Sequence, residues 1–202
     1  MTAAALTLGL AAHATSQPSP RLPTLPLTVT VADGDDGRPV VDRAWLATQV
    51  DQANALFRPH GVTFRVTERH RMGREHARLE TRQDRHALGA LLHAQTIDCF
   101  FVASLRDVDE PDRYRQGVHW RPRGPAYPRT AHFVVVSAIA GPTVLAHELG
   151  HYFGNGHSDV PGNIMSYDRG DGPPFFDDAQ ARRIRATARR FLDAGELVAA
   201  RR

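Results

Sequence analysis

The chain has 202 residues, 42% hydrophobic and 23% charged, which suits a single well-packed domain and excludes a disordered, collagen-like or multi-span membrane protein. All 25 basic residues are arginine, interleaved with 22 acids, and the net charge is only +3. That pattern argues against nucleic-acid binding, which calls for a concentrated basic stripe. A single cysteine, Cys99, excludes a disulfide framework within the chain.

In chain order, residues 3–12 form an apolar run, and Ala12-His13-Ala14 fits the small-x-small cleavage pattern. Residues 1–14 therefore read as an export signal, with no basic residue ahead of the run, and the expected location is secreted or periplasmic. The run is too short to span a bilayer, and no later stretch is suited to it, so no membrane partner is expected. Residues 15–26, with four prolines, read as a linker.

Alternating β-branched residues over 27–31 predict a first strand, and residues 33–37 a turn; the latter lack the ligand spacing of a calcium loop. Asp42 is placed to cap a helix reaching Arg58, with Trp45, Leu46, Val50, Ala53, Leu56 and Phe57 on one side and Pro59 and Gly61 ending it. A strand over 62–66, a helix over 84–95 and a buried strand over 97–105 follow, with Cys99 as a small core residue. Residues 106–129 read as a long surface loop containing a short edge strand at 117–120, and 132–137 as another apolar strand. His119 and His132, on these strands, read as packing or surface residues. The βαβ-like succession predicts an α/β (α+β) fold with a mostly parallel sheet and packed helices.

The stretch 146–159, AHELGHYFGNGHSD, contains H-E-x-x-H-x-x-G-x-x-H. His147 and His151, four apart on a helix, project from one face and can share one metal ion. Glu148 is one step round and can reach a water at that ion. Gly154 permits the positive φ that ends the helix and brings His157 back as a third ligand. Three imidazoles leave an open position on Zn²⁺, the mark of a catalytic site; a closed structural site would call for a fourth ligand, commonly cysteine.

This motif resembles the metzincin clan of zinc endopeptidases. Eight residues after His157 stands Met165, matching the clan's methionine turn, for which the resemblance implies an apolar floor beneath the imidazoles. Tyr167, two residues on, resembles the tyrosine of serralysins, astacins and pappalysins, while His157-Ser158 is more similar to matrixins. Asn163-Ile164-Met165 with Phe175-Phe176 tilts the likeness towards a pappalysin-like branch. The resemblance implies a zincin-like twisted sheet with an active-site helix. It also implies one catalytic domain over 27–202, divided into an upper part, 27–154, and a small lower part, 155–202, with a C-terminal helix. For that helix Asp177 and Gln180 have capping-box spacing, and Phe175, Ile184, Ala188 and Phe191 offer an apolar face by which it is expected to pack back on the lower part and fix the methionine turn. The chain lacks a matrixin-type propeptide cysteine and the paired cysteines of many pappalysins and astacins.

The implied activity is a zinc-dependent endopeptidase acting on protein or peptide substrates. Zn²⁺ would polarise the carbonyl and activate water, Glu148 would act as general base, and Tyr167 would help hold the oxyanion. The substrate would add as a strand to residues 117–120. The loop 168–174 would wall the pocket following the scissile bond, its Asp168 and Asp171 reading as solvated acids. The competing reading is a secreted zinc-binding interaction module without turnover, against which an intact Glu148 argues. A DNA-binding role for the arginines ranks last.

Overall fold

The computed structural model describes residues 22–201 apart from Pro111 and Arg129. The expected export signal (1–14) and most of the linker (15–26) lie outside the described residues. The linker's expected end is corrected: strand β1 spans Leu25–Ala32, taking in Leu25 and Pro26. Both are drawn in by pairing with β2, and the Leu25 peptide N–H donates to Thr63 O at 2.8 Å.

Helix α1 (Arg43–Phe57) begins at Asp42, whose side chain accepts the Trp45 peptide N–H at 2.8 Å. It runs into a 3-10 turn, Arg58–His60, closed by Gly61. Strand β2 (Phe64–Met72) is longer than the alternation over 62–66 suggests, because it lies parallel to β1 along its length. After the two-residue β3 (Arg78–Leu79), helix α2 covers only Arg82–Ala87, not 84–95. Asp84 is the third residue of a capping box opened by Thr81, which moves the start forward. A 3-10 turn, Leu88–Leu91, replaces the expected second half. The strand expected over 97–105 is broken at Ala103 into β4 (Ile97–Val102) and β5 (Ser104–Leu105), because β5 leaves the main sheet to pair with β3.

Strands β6 (Gly117–Trp120) and β7 (Phe133–Ser137) complete a five-stranded sheet of order β2-β1-β4-β7-β6. All pairings are parallel except β6–β7, so the sheet is mixed but mostly parallel, with β6 as an antiparallel edge. Helix α3 (Val144–Tyr152) packs against α1, β6 and β7, and α4 (Asp178–Asp193) closes the fold.

Alternation along the strands sends Val29, Val31, Cys99, Phe101, Val134 and Val136 to one core. That core also takes residues from α1, α3 and α4, including Met165, Phe176, Ile184 and Phe191, so residues beyond Gly154 share it with the sheet. Cys99 is buried there, and burial pushes its thiol pKa up, away from thiolate chemistry. On the opposite face a smaller core gathers Phe100, Val102, Phe133 and Val135. Among the described residues, no helix is long and apolar enough to cross a membrane.

Candidate metal centre

Helix α3 has no side-chain cap of its own at Thr143. Instead Gln49 of α1, 1% exposed, accepts the Leu145 peptide N–H at 3.1 Å and donates to Gly141 O at 2.9 Å. One of the orphan donors at the start of the helix is thereby satisfied, and α3 is tied to α1. At the other end Gly154 takes φ +92°, its peptide N–H donates to His151 O at 2.9 Å, and Asn155 N–H donates to Gly150 O at 3.0 Å. These paired bonds form a Schellman-type stop. The turn returns the chain so that His157 faces the helix.

His147, His151 and His157 each present a ring nitrogen, all within 4.8 Å of one another. His151 Nε2 lies 3.1 Å from His147 Nε2 and 3.2 Å from His157 Nε2. His147 Nδ1 is 2.7 Å from Ile164 O, and His151 Nδ1 is 2.8 Å from Asn155 O. A carbonyl only accepts, so both Nδ1 atoms carry the proton and both Nε2 atoms of the neutral rings carry lone pairs. Burial keeps the rings neutral, pushing His147 down to about 4 and lowering His151 and His157 as well. Lone pairs converging at this separation repel unless a cation lies among them. Ligand bonds of about 2.0–2.1 Å in tetrahedral geometry imply nitrogen separations of roughly 3.3–3.4 Å, close to those found. The donor set therefore fits such an ion.

Glu148 is 5% exposed and accepts the peptide N–H of His119 on β6. Burial outweighs that bond and raises its pKa to about 8. The carboxyl lies so close to the β6 backbone that a Cβ on Gly117 would meet Glu148 Oε1 at 2.8 Å; only glycine leaves room there.

Met165 is fully buried, and its sulfur abuts Gly150 on the underside of α3. Its turn is held by Asn163, whose Oδ1 accepts the Met165 peptide N–H at 2.9 Å. Asn163 also exchanges two hydrogen bonds with Gln180, at 2.8 and 3.1 Å. Gln180 completes the Asp177 capping box, so the first turn of α4 is bonded directly to the methionine turn. Phe176, not Phe175, supplies the aromatic packing expected in front of α4. Phe176 is 5% exposed and lies 4.8 Å from the Phe57 ring, whereas Phe175 is 43% exposed, because Phe175 lies in the bridge to Asn163 with its ring outward.

Tyr167 is 70% exposed, with its ring 4.6 Å from that of His157. Its side chain hydrogen-bonds Arg115, which is held by Asp107, 2% exposed, at 2.6 Å. Sequence reasoning missed Arg115 and Asp107, since the segment 106–129 carries no motif. It also missed the part played by His119, whose backbone binds Glu148 while its ring lies 2.9 Å from His132. His132 stacks on Tyr152 with ring centroids 3.8 Å apart, a packing role for this histidine.

The imidazoles and Glu148 line a cleft of about 780 Å³ bounded by β6 and by Arg113, Arg115 and Arg169. Asp168 and Asp171 are exposed and outside its lining.

No protein-family model matches the sequence, and no curated protein matches it. Solved structures do. The chain resembles metalloproteinase-II from Bacteroides fragilis, with a TM-score of 0.55 and 15% identity over 85% of this chain and 55% of that one. It resembles archaemetzincin from Methanopyrus kandleri with a TM-score of 0.52 and 17% identity over 82% and 96%. The chain thus spans about half of the Bacteroides chain and nearly all of the archaeal one. What is shared at these identities is the fold, a mostly parallel sheet with packed helices.

Proposed function

We propose that this protein is a zinc-dependent endopeptidase of metzincin type, with His147, His151 and His157 as metal ligands and Glu148 as general base. The observation that carries the reading is the convergence of three imidazoles, two held by carbonyl acceptors in the tautomer that a cation requires. Similarity of fold to two metalloproteinases supports it. Zn²⁺ bound there supplies Lewis acidity towards a peptide carbonyl and lowers the pKa of water.

The chain's own groups do the rest. Glu148, pinned to the β6 backbone, takes a proton from water and delivers it to the leaving amine. Ionisation of a carboxyl raised to about 8 by burial is favoured by a dication nearby. Tyr167, beside His157 and positioned through Arg115, donates its hydroxyl to the oxygen on which charge develops. Met165 forms the apolar floor. Strand β6, at the edge of the sheet among the described residues, aligns an extended protein or peptide substrate beside Glu148. The proposed setting is secreted or periplasmic, resting on the apolar run at residues 3–12.

The test is cleavage of casein by purified protein, abolished by a chelator and restored by zinc. Glu148→Ala should keep about one zinc at this site and lose activity by 10²-fold or more, whereas His151→Ala should lose that zinc. A folded, zinc-loaded wild type without turnover would favour the interaction-module reading, and an active Glu148→Ala would refute the mechanism.

A further inference from the structure

Among the described residues a second group of side chains has metal-ligand chemistry, at the other edge of the sheet from β6. The pairing registers align Glu68 with Thr28 and Asp98, and His70 with Thr30 and Phe100. Glu68 and His70, two apart on edge strand β2, therefore stand on one face, over a polar end of the sheet formed by Thr28, Thr30 and Asp98.

His93, in the segment between the 3-10 turn and β4, reaches over this face. Its ring stacks on that of His70 with centroids 4.5 Å apart and planes 14° from parallel. The Asp98 carboxylate, 3% exposed, accepts the His93 peptide N–H at 3.0 Å and lies 2.8 Å from His93 Nδ1. With the Nδ1 proton donated to that carboxylate, Nε2 carries a lone pair. A buried carboxylate behind an imidazole is the outer-shell arrangement that orients metal-binding histidines. His70 Nε2 is 3.0 Å from Glu68 Oε2, and Glu68, His70 and His93 each offer a ligand atom within 4.8 Å of the others.

A separate observation points to a ligand in the same place. Thr30 is 3% exposed, and its hydroxyl has no hydrogen-bond partner among the described residues. It lines a cavity of about 370 Å³ together with His70 and His93. An exposed Glu–His pair alone contributes little, and it explains neither the stacked second imidazole nor the unpaired buried hydroxyl.

We infer that Glu68, His70 and His93 form a second metal site, with Asp98 orienting His93 and Thr30 beneath it in the wall of the adjoining cavity. Two imidazoles and one carboxylate select a borderline first-row dication such as Zn²⁺ or Co²⁺ over Mg²⁺ or Ca²⁺. The ion would tie edge strand β2 to the segment preceding β4, bracing what is an edge of the sheet among the described residues. The site is independent of the proposed peptidase centre.

Equilibrium dialysis of chelator-stripped, full-length protein against Co²⁺ or Zn²⁺, with bound metal measured by mass spectrometry, tests the inference. Wild type should bind two ions per chain, and His70→Gln one fewer with peptidase activity retained. His70 is exposed, and its replacement leaves the Asp98–His93 pair intact, so this variant should fold; circular dichroism checks that. In a His151→Ala background Zn²⁺ should raise the melting temperature, and adding His70→Gln should abolish the shift. Equal metal binding by wild type and His70→Gln would overturn the second site. Loss of one ion on His70→Gln upholds it whatever His151→Ala does, which keeps the two sites' tests apart.

Discussion

The closeness of β6 to Glu148 can be probed by adding one methyl group. In Gly117→Ala the new Cβ would lie 2.7 Å from Val144 Cγ1 and 2.8 Å from both Glu148 Cγ and Oε1, where ordinary contact begins at 3.4 Å. The glutamate must retreat by about 0.6 Å, or β6 must move away from α3 by a similar amount. Either movement stretches the bond from His119 N–H that aims the carboxyl. Alanine in a strand recovers about 0.5–1 kcal/mol of chain entropy, while overpacking costs about 1–3 kcal/mol, so the net loss of stability should be about 0–2.5 kcal/mol. A misplacement of about 1 Å can cost about 10²-fold in rate, so this smaller one should lower kcat by about 10- to 100-fold. Steady-state kinetics on a fluorogenic peptide, with zinc content measured on the same preparation, would check this. Gly172→Ala, which meets nothing within 4 Å, is the control. Wild-type kcat in a folded Gly117→Ala, or a loss of rate that merely follows loss of zinc, would refute the idea that the β6 backbone positions the base.

Tyr167→Phe should lower kcat by about 10²-fold with little change in KM or zinc content if the hydroxyl serves the oxyanion; an unchanged kcat would exclude that role. Acid stability follows from the buried pair His119 and His132. Burial, with Arg121 nearby, holds them down to about 3 and about 2. Below pH 6.5 the unfolded chain takes up protons that the folded pair refuses, so stability is present above that pH and is lost as pH falls towards the folded values. Replacing one of them, His132→Gln, should reduce the slope of unfolding free energy against pH by about 1.4 kcal/mol per unit near pH 4.5, falling to about 1.0 near pH 6. Urea melts with metal chelated would show it, and an unchanged slope would count against a buried neutral histidine.

Much of this protein could be read directly from local order. Alternation in β1 and β7, the Asp42 cap, the capping box at Asp177 and Gln180, and the interval of His147, His151, Gly154 and His157 are short-range patterns. Their meaning depends on backbone periodicity that any helix or strand imposes, so the elements they mark follow from the sequence alone, although pairing with β2 carries the start of β1 back to Leu25. Tertiary contacts decided the rest. β2 extends to Met72 because β1 lies beside it, and β5 leaves the sheet to meet β3. Phe176 is buried and Phe175 exposed because the bridge between Asn163 and Phe175 sets which ring faces the core. The supports of the centre are also long-range: Gln49 at the start of α3, the His119 peptide at Glu148, Asp107 behind Arg115, and Asn163 with Gln180. Each joins residues whose separation in the chain carries no periodic signal, and only the packed fold, by burying polar groups that must find partners, brings them together.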